Sequence, residues 1–324
     1  MAQSGADRAD RADRADRADG AHGEHGADGT DGAAAFEGVA IITGANSGLG
    51  FETARRLAAM STSNTVVLAC RDLAKATVAQ RAITATTGNT NVRAMRLDVA
   101  SISSVREFAA EWHSAAEAPI DALVCNAGIS RGPAETVDEL DGVFETNHLG
   151  HFLLSQLLLD SIAENGRVIS VSSDMHSPPG PRLKWPGAEV LAHPGQKAAV
   201  SRLRYSYSKL CNLYFSYEFS RRLRAEQSGI SVAAFNPGLM TETNFARIPR
   251  PVGAVMKRIF ASRLGSLETS SVALAGLAAG ESPVPIDDHY FDRTDQVFTR
   301  SSDLSYNEKN ARELWRVSSE LTQL

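Results

Sequence analysis

The chain has 324 residues, a net charge of −5 and 43% hydrophobic residues, so it is long and apolar enough to bury a sizeable core. It has no basic excess for binding nucleic acid, no apolar run of ~18 residues for spanning a membrane and no signal-like start for secretion. Three widely separated cysteines, Cys70, Cys125 and Cys211, exclude a disulfide framework and predict a reducing, cytoplasmic location.

The composition changes near residue 36. Ala-Asp-Arg repeats occupy residues 6–19, and a stretch rich in Gly, His and Asp follows them. The apolar residues of this segment are too small to build a core, so residues 1–35 are predicted to be a disordered, low-complexity tail. Residues 36–324 are predicted to form one folded domain. His22 and His25 have no neighbouring ligands and do not predict a metal site.

Short apolar runs alternate with amphipathic stretches from Phe36 onward, which is typical of parallel strands that alternate with helices. The predicted strands are Val39–Ile42, Thr65–Ala69, Val92–Leu97, Ala122–Cys125, Val168–Val171 and Val232–Phe235. The predicted helices are Phe51–Met60, Leu73–Thr86, Ser101–Ala116, Val137–Ala163 and Tyr205–Gln227. The alternation predicts a doubly wound α/β domain, a Rossmann fold, with a seven-strand parallel sheet and right-handed crossovers.

A glycine-rich turn follows the first predicted strand directly and reads Thr43-Gly-Ala-Asn-Ser-Gly-Leu-Gly50. Gly44 permits a tight turn, Gly48 lets the backbone approach a ligand, and Gly50 lets the next helix pack on the strand. The N-terminus of that helix offers free N–H groups to a phosphate. These features together favour a dinucleotide-binding turn over an ordinary glycine-rich loop.

Polar residues at two later strand ends bear on the choice of dinucleotide. In NAD-binding proteins an acidic side chain at the end of the second strand holds the ribose, whereas an arginine accommodates the 2′-phosphate of NADP. Arg71 therefore favours NADP(H), although Asp72 follows it and either competes for the ribose or caps the next helix. Asp98, followed by Val99, is interpreted as a ligand of adenine or as the N-cap of the helix near Ser101.

Tyr205 and Lys209 are four residues apart and therefore share a helix face. A free tyrosine has a pKa of ~10, and a nearby ammonium lowers this pKa, which gives an acid/base for chemistry near neutral pH. The fifth predicted strand ends at Ser172 and Ser173, at the edge where open α/β sheets bind ligands. Tyr207 has no lysine four residues later and is the less suitable tyrosine.

The chain resembles the short-chain dehydrogenase/reductase family from about Gly38 to Leu324. The matching segments, in chain order, are Thr43–Gly50, Asn126–Gly128, Asn147–Phe152, Val171–Ser173, Tyr205–Lys209 and Pro237–Gly238. The segments Ala69–Asp72 and Ser208–Asn212 are similar to the branch of retinol dehydrogenases, WW-domain oxidoreductases and light-dependent protochlorophyllide reductases. The resemblance implies a Rossmann fold and hydride transfer to or from a nicotinamide.

The resemblance also implies a role for each matching residue. Tyr205 would donate or accept the proton, Lys209 would lower its pKa and hold the nicotinamide ribose, and Ser173, rather than Ser172, would bond the substrate carbonyl. Asn147 would hold a water that links Lys209 to solvent. The implied cofactor-binding residues are Gly44, Asn46, Ser47, Gly48, Leu49, Gly50, Arg71, Asp98, Val99, Asn126, Ala127, Gly128, Tyr205, Lys209 and Pro237.

Two features depart from the family pattern. Ser173 and Tyr205 are separated by 32 positions, more than in compact members, and the intervening proline- and glycine-rich segment is predicted to be irregular. Farther along, Glu242 stands between Thr241 and Thr243, where the family places one threonine that contacts the cofactor. The contact with the cofactor amide is therefore in question.

Three other features receive structural interpretations. Val252–Gly280 combines apolar and basic residues and is interpreted as mobile helices over the substrate, with a membrane-surface helix as the alternative. His148 and His151, beside Asn147, are interpreted as packing or capping residues rather than a metal pair. Cys211 is interpreted as core filling rather than a reactive thiol, and no metal site is predicted.

The motifs together predict an NADP(H)-dependent oxidoreductase that acts on an apolar alcohol or carbonyl. One alternative is light-driven reduction of a tetrapyrrole double bond, but Ser173 in its Val-Ser-Ser context favours carbonyl chemistry. Another alternative is a non-catalytic NADP-binding scaffold. The presence of Ser173, Tyr205 and Lys209 argues against it. A homodimer paired through the long helices is expected from the resemblance alone.

Overall fold

The structure is a computed structural model that describes residues 36–115, 117–180, 182–193, 198–238, 266–281, 289–293 and 298–324. Within the helix that begins at residue 198, side chains are described from residue 203 onward. The predicted tail, the segment that contains Thr241, Glu242 and Thr243, and residues 252–265 of the predicted mobile helices lie outside the described residues.

Eight strands of the described ranges form a sheet with the order β3-β2-β1-β4-β5-β6-β7-β8. They are β1 (Val39–Thr43), β2 (Thr65–Cys70), β3 (Val92–Arg96), β4 (Ile120–Cys125), β5 (Ile162–Val171), β6 (Ser231–Asn236), β7 (His289–Asp292) and β8 (Phe298–Thr299). Strands β1 to β7 pair in parallel, and β8 pairs antiparallel with β7. The predicted seven-strand parallel sheet is confirmed, and β8 extends it.

Helices follow most of the strands. They are α1 (Gly48–Met60), α2 (Leu73–Thr87), α3 (Ile102–Ser114), α4 (Gly142–Phe144), α5 (Gly150–Leu157), α6 (Ala188–Ala192), α7 (Ala198–Ala225), α8 (Leu267–Ala279) and α9 (Glu308–Thr322). A π-helical turn, Glu145–Leu149, joins α4 to α5. None of the helices in the described ranges is long and apolar enough to cross a membrane.

The single helix predicted over Val137–Ala163 is wrong. The side chain of Asp141 accepts hydrogen bonds from the backbone N–H groups of Val143 and Phe144, and this cap starts α4. The helix then widens into the π-helical turn, α5 ends at Leu157, and β5 already begins at Ile162. The apolar pattern continues through all of these elements, so it does not show where one gives way to the next.

The two faces of the sheet bury alternate side chains of each central strand. Ala40 and Ile42 of β1 pack in a cluster with α1, α2 and α8, whereas Val39 and Ile41 pack in a cluster with α3, α5 and α7. All four side chains are buried, as expected for a parallel strand covered by helices on both faces. The layered arrangement confirms the predicted doubly wound fold.

Gly150, the first residue of α5, is expected to tolerate no side chain. A Cβ there would collide with the carbonyl oxygen of Val99, at the edge where the site residues lie. The backbone of Gly150 is helical, with φ of −62° and ψ of −37°. Alanine is otherwise a better helix former than glycine by ~1 kcal/mol. The collision with Val99 is therefore the effect that opposes an alanine at this position.

We therefore expect Gly150→Ala to lower the free energy of unfolding by about 3 kcal/mol, measured by urea unfolding. Gly88→Ala is the matched control, because a Cβ there meets nothing within 4 Å while φ is +74°. The strain at Gly88 alone should cost about 1 kcal/mol. A smaller loss at Gly150 than at Gly88 would contradict the steric explanation.

Candidate functional site

The predicted site residues meet at the carboxyl edge of the sheet, where parallel strands end side by side. The turn after β1 holds Gly44, Asn46, Ser47, Gly48, Leu49 and Gly50; Arg71 follows β2; Asp98 and Val99 follow β3; Asn126, Ala127 and Gly128 follow β4; Ser173 follows β5; and Pro237 follows β6. Asn147 lies in the π-helical turn, and Tyr205 and Lys209 lie in α7.

The turn between β1 and α1 presents backbone N–H groups. Gly44 and Gly48 have φ of +68° and +59°, a conformation that other residues rarely adopt. Ser47 is the N-cap of α1 without a side-chain capping bond, whereas the side chains of Asp72 and Ser101 cap α2 and α3. The first amides of α1 are thus available to an anion, and the turn fits a dinucleotide phosphate.

Thr43, the last residue of β1, ties this turn to the end of β4. Its hydroxyl accepts hydrogen bonds from the N–H groups of Asn126 and Ala127, both at 2.9 Å. The side-chain amide of Asn126 donates to the carbonyl of Thr43 at 2.8 Å. A Cβ at Gly50 would lie 2.5 Å from that amide nitrogen, so the start of α1 approaches the network closely.

His151 connects Thr43 to the π-helical turn. Nδ1 of His151 lies 3.3 Å from the carbonyl of Asn147, which can only accept, so Nδ1 carries the ring proton and Nε2 accepts from the Thr43 hydroxyl at 2.9 Å. Burial lowers the pKa of His151 to about 4. His148 bonds Ser318 at 2.9 Å, so both histidines are packed, hydrogen-bonded residues, and the described residues contain no metal-ligand cluster.

The polar residues after β2 and β3 take different roles. Arg71 is exposed just beyond β2, and Asp72 caps α2, which confirms the capping interpretation of that aspartate. The carboxylate of Asp98 accepts from the N–H of Ala100 at 3.1 Å. Ser101, rather than Asp98, is the N-cap of α3, so the capping interpretation of Asp98 is wrong.

Ser173 and Tyr205 lie near each other despite the 32 positions between them. The Ser173 hydroxyl acts on the Tyr205 phenol as a hydrogen-bonding group that lowers the pKa of the phenol. Ser172 instead is buried and donates from Oγ to the carbonyl of Lys209 at 2.9 Å. The structure therefore brings Ser173, and not Ser172, to the phenol.

The long segment between these residues is held by side chains from elsewhere in the fold. The Tyr207 hydroxyl donates to the carbonyl of Lys184 at 2.9 Å. Glu313 of α9 accepts from the Trp185 indole at 2.7 Å and from the N–H of Ala188 at 3.1 Å. Glu313 was not identified from the sequence, because its partners lie more than 120 positions away.

Lys209 is buried beside Tyr205. Its ammonium donates to the carbonyl of Val171 at 2.8 Å and lies 5.6 Å from the centroid of the Tyr205 ring. Burial lowers the pKa of Lys209 to about 7 and raises the pKa of Tyr205 to about 12, against the opposing effect of the Ser173 hydrogen bond. The expected lowering of the Tyr205 pKa is thus outweighed by burial of the phenol in this structure.

Asn147 is held by its side chain between two elements. Oδ1 accepts from the N–H of Ile129 at 2.8 Å, and Nδ2 donates to the Ile129 carbonyl at 2.9 Å and to Oγ of Ser208 at 2.8 Å. A Cβ at Gly128 would lie 3.2 Å from Oδ1 of Asn147 and 3.7 Å from Nζ of Lys209. The backbone after β4 therefore passes directly against Asn147 and Lys209.

The end of β6 carries a network that the sequence reasoning missed. The side-chain amide of Asn236 donates to Asp174 at 2.7 Å and to Asp292 at 3.0 Å, and its Oδ1 accepts from the N–H of Gly238 at 3.0 Å. This network fixes the backbone on both sides of Pro237. The signal available in the sequence was a polar residue that ends an apolar strand immediately before the Pro-Gly pair.

Glu145, in the π-helical turn, was also missed. Its side chain is buried, and burial together with the nearby carboxylates Asp138 and Asp98 raises its pKa to about 8. The carboxyl group is therefore protonated at neutral pH. A charged residue within an apolar helical pattern was the available signal.

Lys209→Met is expected to remove a pH dependence of stability. Because burial lowers the pKa of Lys209 to about 7, the unfolded chain, whose lysines titrate near ~10.4, binds more protons than the folded chain between these values. The contribution of Lys209 to the free energy of unfolding therefore rises with pH across this window. Urea unfolding of both proteins at pH 7, 8 and 9 measures it.

The difference between wild type and Lys209→Met should grow with pH in favour of wild type. Lys75→Met, which removes an exposed lysine that pairs with Asp72, is the control. Its free energy of unfolding should change with pH as that of wild type does. A difference between wild type and Lys209→Met that stays constant with pH would contradict the burial effect.

Known proteins resemble this chain over most of its length. A sequence profile described as short chain dehydrogenase matches residues 38–184. The chain is 34% identical to retinol dehydrogenase 12 of Mus musculus over 288 residues, which cover 87% of this chain and 85% of that protein. It is 35% identical to retinol dehydrogenase 13 of Homo sapiens, with coverage of 88% and 84%. It is 41% identical to the WW domain-containing oxidoreductase of Danio rerio, over 64% of this chain and 50% of that protein.

Solved structures show the same relationship. An uncharacterized protein from Mycobacterium paratuberculosis has a TM-score of 0.66 and 32% identity, covering 88% of this chain and 93% of that one. A short chain dehydrogenase from Burkholderia cenocepacia J2315, in complex with NADP, shares the fold with a TM-score of 0.62, 22% identity and coverage of 80% and 97%. With its fold and relatives taken together, the chain belongs to the short-chain dehydrogenase family, in a retinol dehydrogenase-like branch.

Proposed function

We propose that this oxidoreductase uses NADP(H) to interconvert an alcohol and a carbonyl, with Tyr205 as the acid/base. The observation that carries the proposal is the proximity of the Ser173 hydroxyl to the Tyr205 phenol, whose pKa it lowers, beside the Lys209 ammonium. Two hydroxyl groups that meet at the carboxyl edge of the sheet suit the binding of one substrate oxygen.

Each of these groups has a distinct part in the proposed reaction. Ser173 orients the substrate oxygen, and Tyr205 gives it a proton when a carbonyl is reduced. Because burial raises the pKa of Tyr205 to about 12, the phenol is in the protonated, donating form at neutral pH. When bound, the nicotinamide supplies or accepts the hydride. Lys209 is positioned to stabilise charge that develops on the phenol oxygen.

The residues present fit a dinucleotide, and the first turn of α1 would hold its pyrophosphate. The uncapped amides of α1 and the positive φ angles of Gly44 and Gly48 support this placement. Asp98, and Val99 beside it, would contact the adenine, while Arg71 would contact the 2′-phosphate of NADP. The exposed guanidinium of Arg71 is free to reach a ligand on the surface, which supports NADP over NAD.

The substrate proposal rests on the relatives. Two of them are named retinol dehydrogenases and match more than four fifths of their own length. We therefore infer an apolar alcohol or aldehyde as the substrate class. Retinal and medium-chain aldehydes such as nonanal are suitable first probes.

Tyr205→Phe is expected to lower kcat by at least ~10²-fold, because it removes the proton that the substrate oxygen needs. The measurement is NADPH oxidation with a panel of aldehydes and ketones that includes all-trans-retinal and nonanal. Tyr207→Phe is the matched control: it deletes a phenol on the same helix that bonds only the Lys184 carbonyl in the described structure. Equal turnover by wild type and Tyr205→Phe would remove Tyr205 from the mechanism.

Arg71→Gln is expected to raise KM for NADPH about tenfold while leaving KM for NADH nearly unchanged, because a hydrogen bond to a charged phosphate contributes ~1.5–3 kcal/mol. Arg93→Gln serves as the control, since Arg93 is an exposed arginine near the start of β3 that pairs with Glu117. If Arg71→Gln weakened both cofactors equally, Arg71 would not distinguish NADP from NAD.

A further inference from the structure

His176 lies three residues after Ser173, at the end of a 3₁₀ turn, Asp174–His176, and is 5% exposed. Nδ1 of its ring lies 2.7 Å from the carbonyl oxygen of Ser173, and Nε2 lies 3.0 Å from the backbone nitrogen of Ser302. A carbonyl can only accept and an amide N–H can only donate. The ring is therefore neutral, with its proton on Nδ1.

Ser302 belongs to residues 301–306, a segment before α9 that is itself bound to α7. The hydroxyl of Tyr214 donates to the Leu304 carbonyl at 2.9 Å, and the hydroxyl of Tyr217 lies 2.8 Å from Oγ of Ser301. The rings of Tyr217 and Tyr306 stack with centroids 5.3 Å apart. Thus α7, which carries Tyr205, also holds the segment to which His176 binds.

The contacts form a closed path through the site. It runs from Tyr205 along α7 to residues 301–306, from there through the Ser302 N–H to His176, and back through the Ser173 carbonyl to the hydroxyl that lies near Tyr205 and lowers its pKa. A closed path of this kind restricts the separation of Ser173 and Tyr205.

We propose that His176 is a positioning residue that holds Ser173 against Tyr205 by bridging the Ser173 carbonyl and the Ser302 amide. The proposal rests on the proposed roles of Ser173 and Tyr205, and it adds residues 301–306 to the structures that support the reaction. The bridge depends on an imidazole that is both donor and acceptor, so protonation of Nε2 would break the bond to Ser302.

The surroundings of His176 keep the ring neutral. Burial lowers its pKa, while the hydrogen bond to the Ser173 backbone and the carboxylate of Asp174 act in the opposite direction. The ring of Tyr290 from β7 packs edge-on against it with centroids 5.2 Å apart. The side-chain amide of Asn236 donates to the carboxylate of Asp174 at 2.7 Å.

Ser302→Pro tests the bridge without changing His176. Ser302 has φ of −64°, which proline adopts, and its carbonyl, which accepts from Ser305, is kept. The substitution therefore removes the backbone N–H that donates to Nε2 of His176. Ser302→Ala, which keeps the N–H, is the matched control. His176→Ala deletes both bonds, and the double variant His176→Ala with Ser302→Pro completes the cycle.

The measurements are kcat and KM for NADPH with all-trans-retinal or nonanal, the Kd of NADPH, and urea unfolding. We expect Ser302→Pro and His176→Ala each to lower kcat about fivefold to tenfold relative to Ser302→Ala, with little change in the Kd of NADPH. The double variant should lose no more than His176→Ala alone. Equal kcat for Ser302→Pro and Ser302→Ala, with Tyr205→Phe inactive, would overturn the proposal.

A measurement without substrate separates failure of this proposal from failure of the proposed function. Imidazole ¹⁵N spectra of wild type should show His176 with its proton on Nδ1, and Ser302→Pro should shift its Nε2 signal while Ser302→Ala should not. A dominant Nε2–H form, or an Nε2 signal that is the same in both variants, would overturn the bridge. Turnover that persists in Tyr205→Phe would instead overturn the proposed function.

Discussion

The end of β5 is bound to α7 by three polar contacts, and the geometry of the site depends on them. The carbonyl of Val171 accepts from the Lys209 ammonium at 2.8 Å and from the side-chain amide of Asn212 at 3.0 Å, and Ser172 donates to the carbonyl of Lys209 at 2.9 Å. These contacts set the position of α7 along the strand. Because Ser173 directly continues the strand and Tyr205 lies one turn before Lys209, the same contacts bring the two hydroxyl groups together. Buried polar contacts of this kind have few alternative partners, which makes the arrangement specific.

The π-helical turn also holds this part of α7. Ser208 donates to the carbonyl of Tyr205 at 2.8 Å and accepts from Asn147, whose amide also binds both backbone groups of Ile129. His151 continues this network to the hydroxyl of Thr43 at the end of β1. The turn that fits the dinucleotide and the helix that carries Tyr205 are therefore linked by an unbroken series of hydrogen bonds. Such a link fixes the distance between this turn and Tyr205 before any ligand binds.

The sequence was sufficient for the sheet and for the residues that meet at its edge, because apolar strands and glycine turns are local patterns. It was insufficient where distant contacts decide the structure. The π-helical turn Glu145–Leu149 interrupts a continuous apolar pattern, and β8, Phe298–Thr299, is too short to have a pattern. The long segment before Tyr205 owes its position to Glu313 in α9, and the bridge at His176 depends on Ser302. No local spacing predicts either partner. The direction of the Tyr205 pKa shift was missed for a related reason, since spacing reveals a neighbouring lysine but does not reveal the burial of the phenol.

Burial moves the ionisable groups of the site toward their neutral forms. It lowers the pKa of Lys209 to about 7 and of His151 to about 4, and it raises the pKa of Glu145 to about 8 and of Tyr205 to about 12. Each shift has the same physical origin, the loss of water around a charge. A site built this way relies on hydrogen bonds with assigned directions rather than on ion pairs. For that reason the donors and acceptors must be matched one by one, as they are at His151 and His176. A neutral imidazole donates a hydrogen bond to one partner and accepts one from another at the same time, which neither a lysine ammonium nor a carboxylate can do.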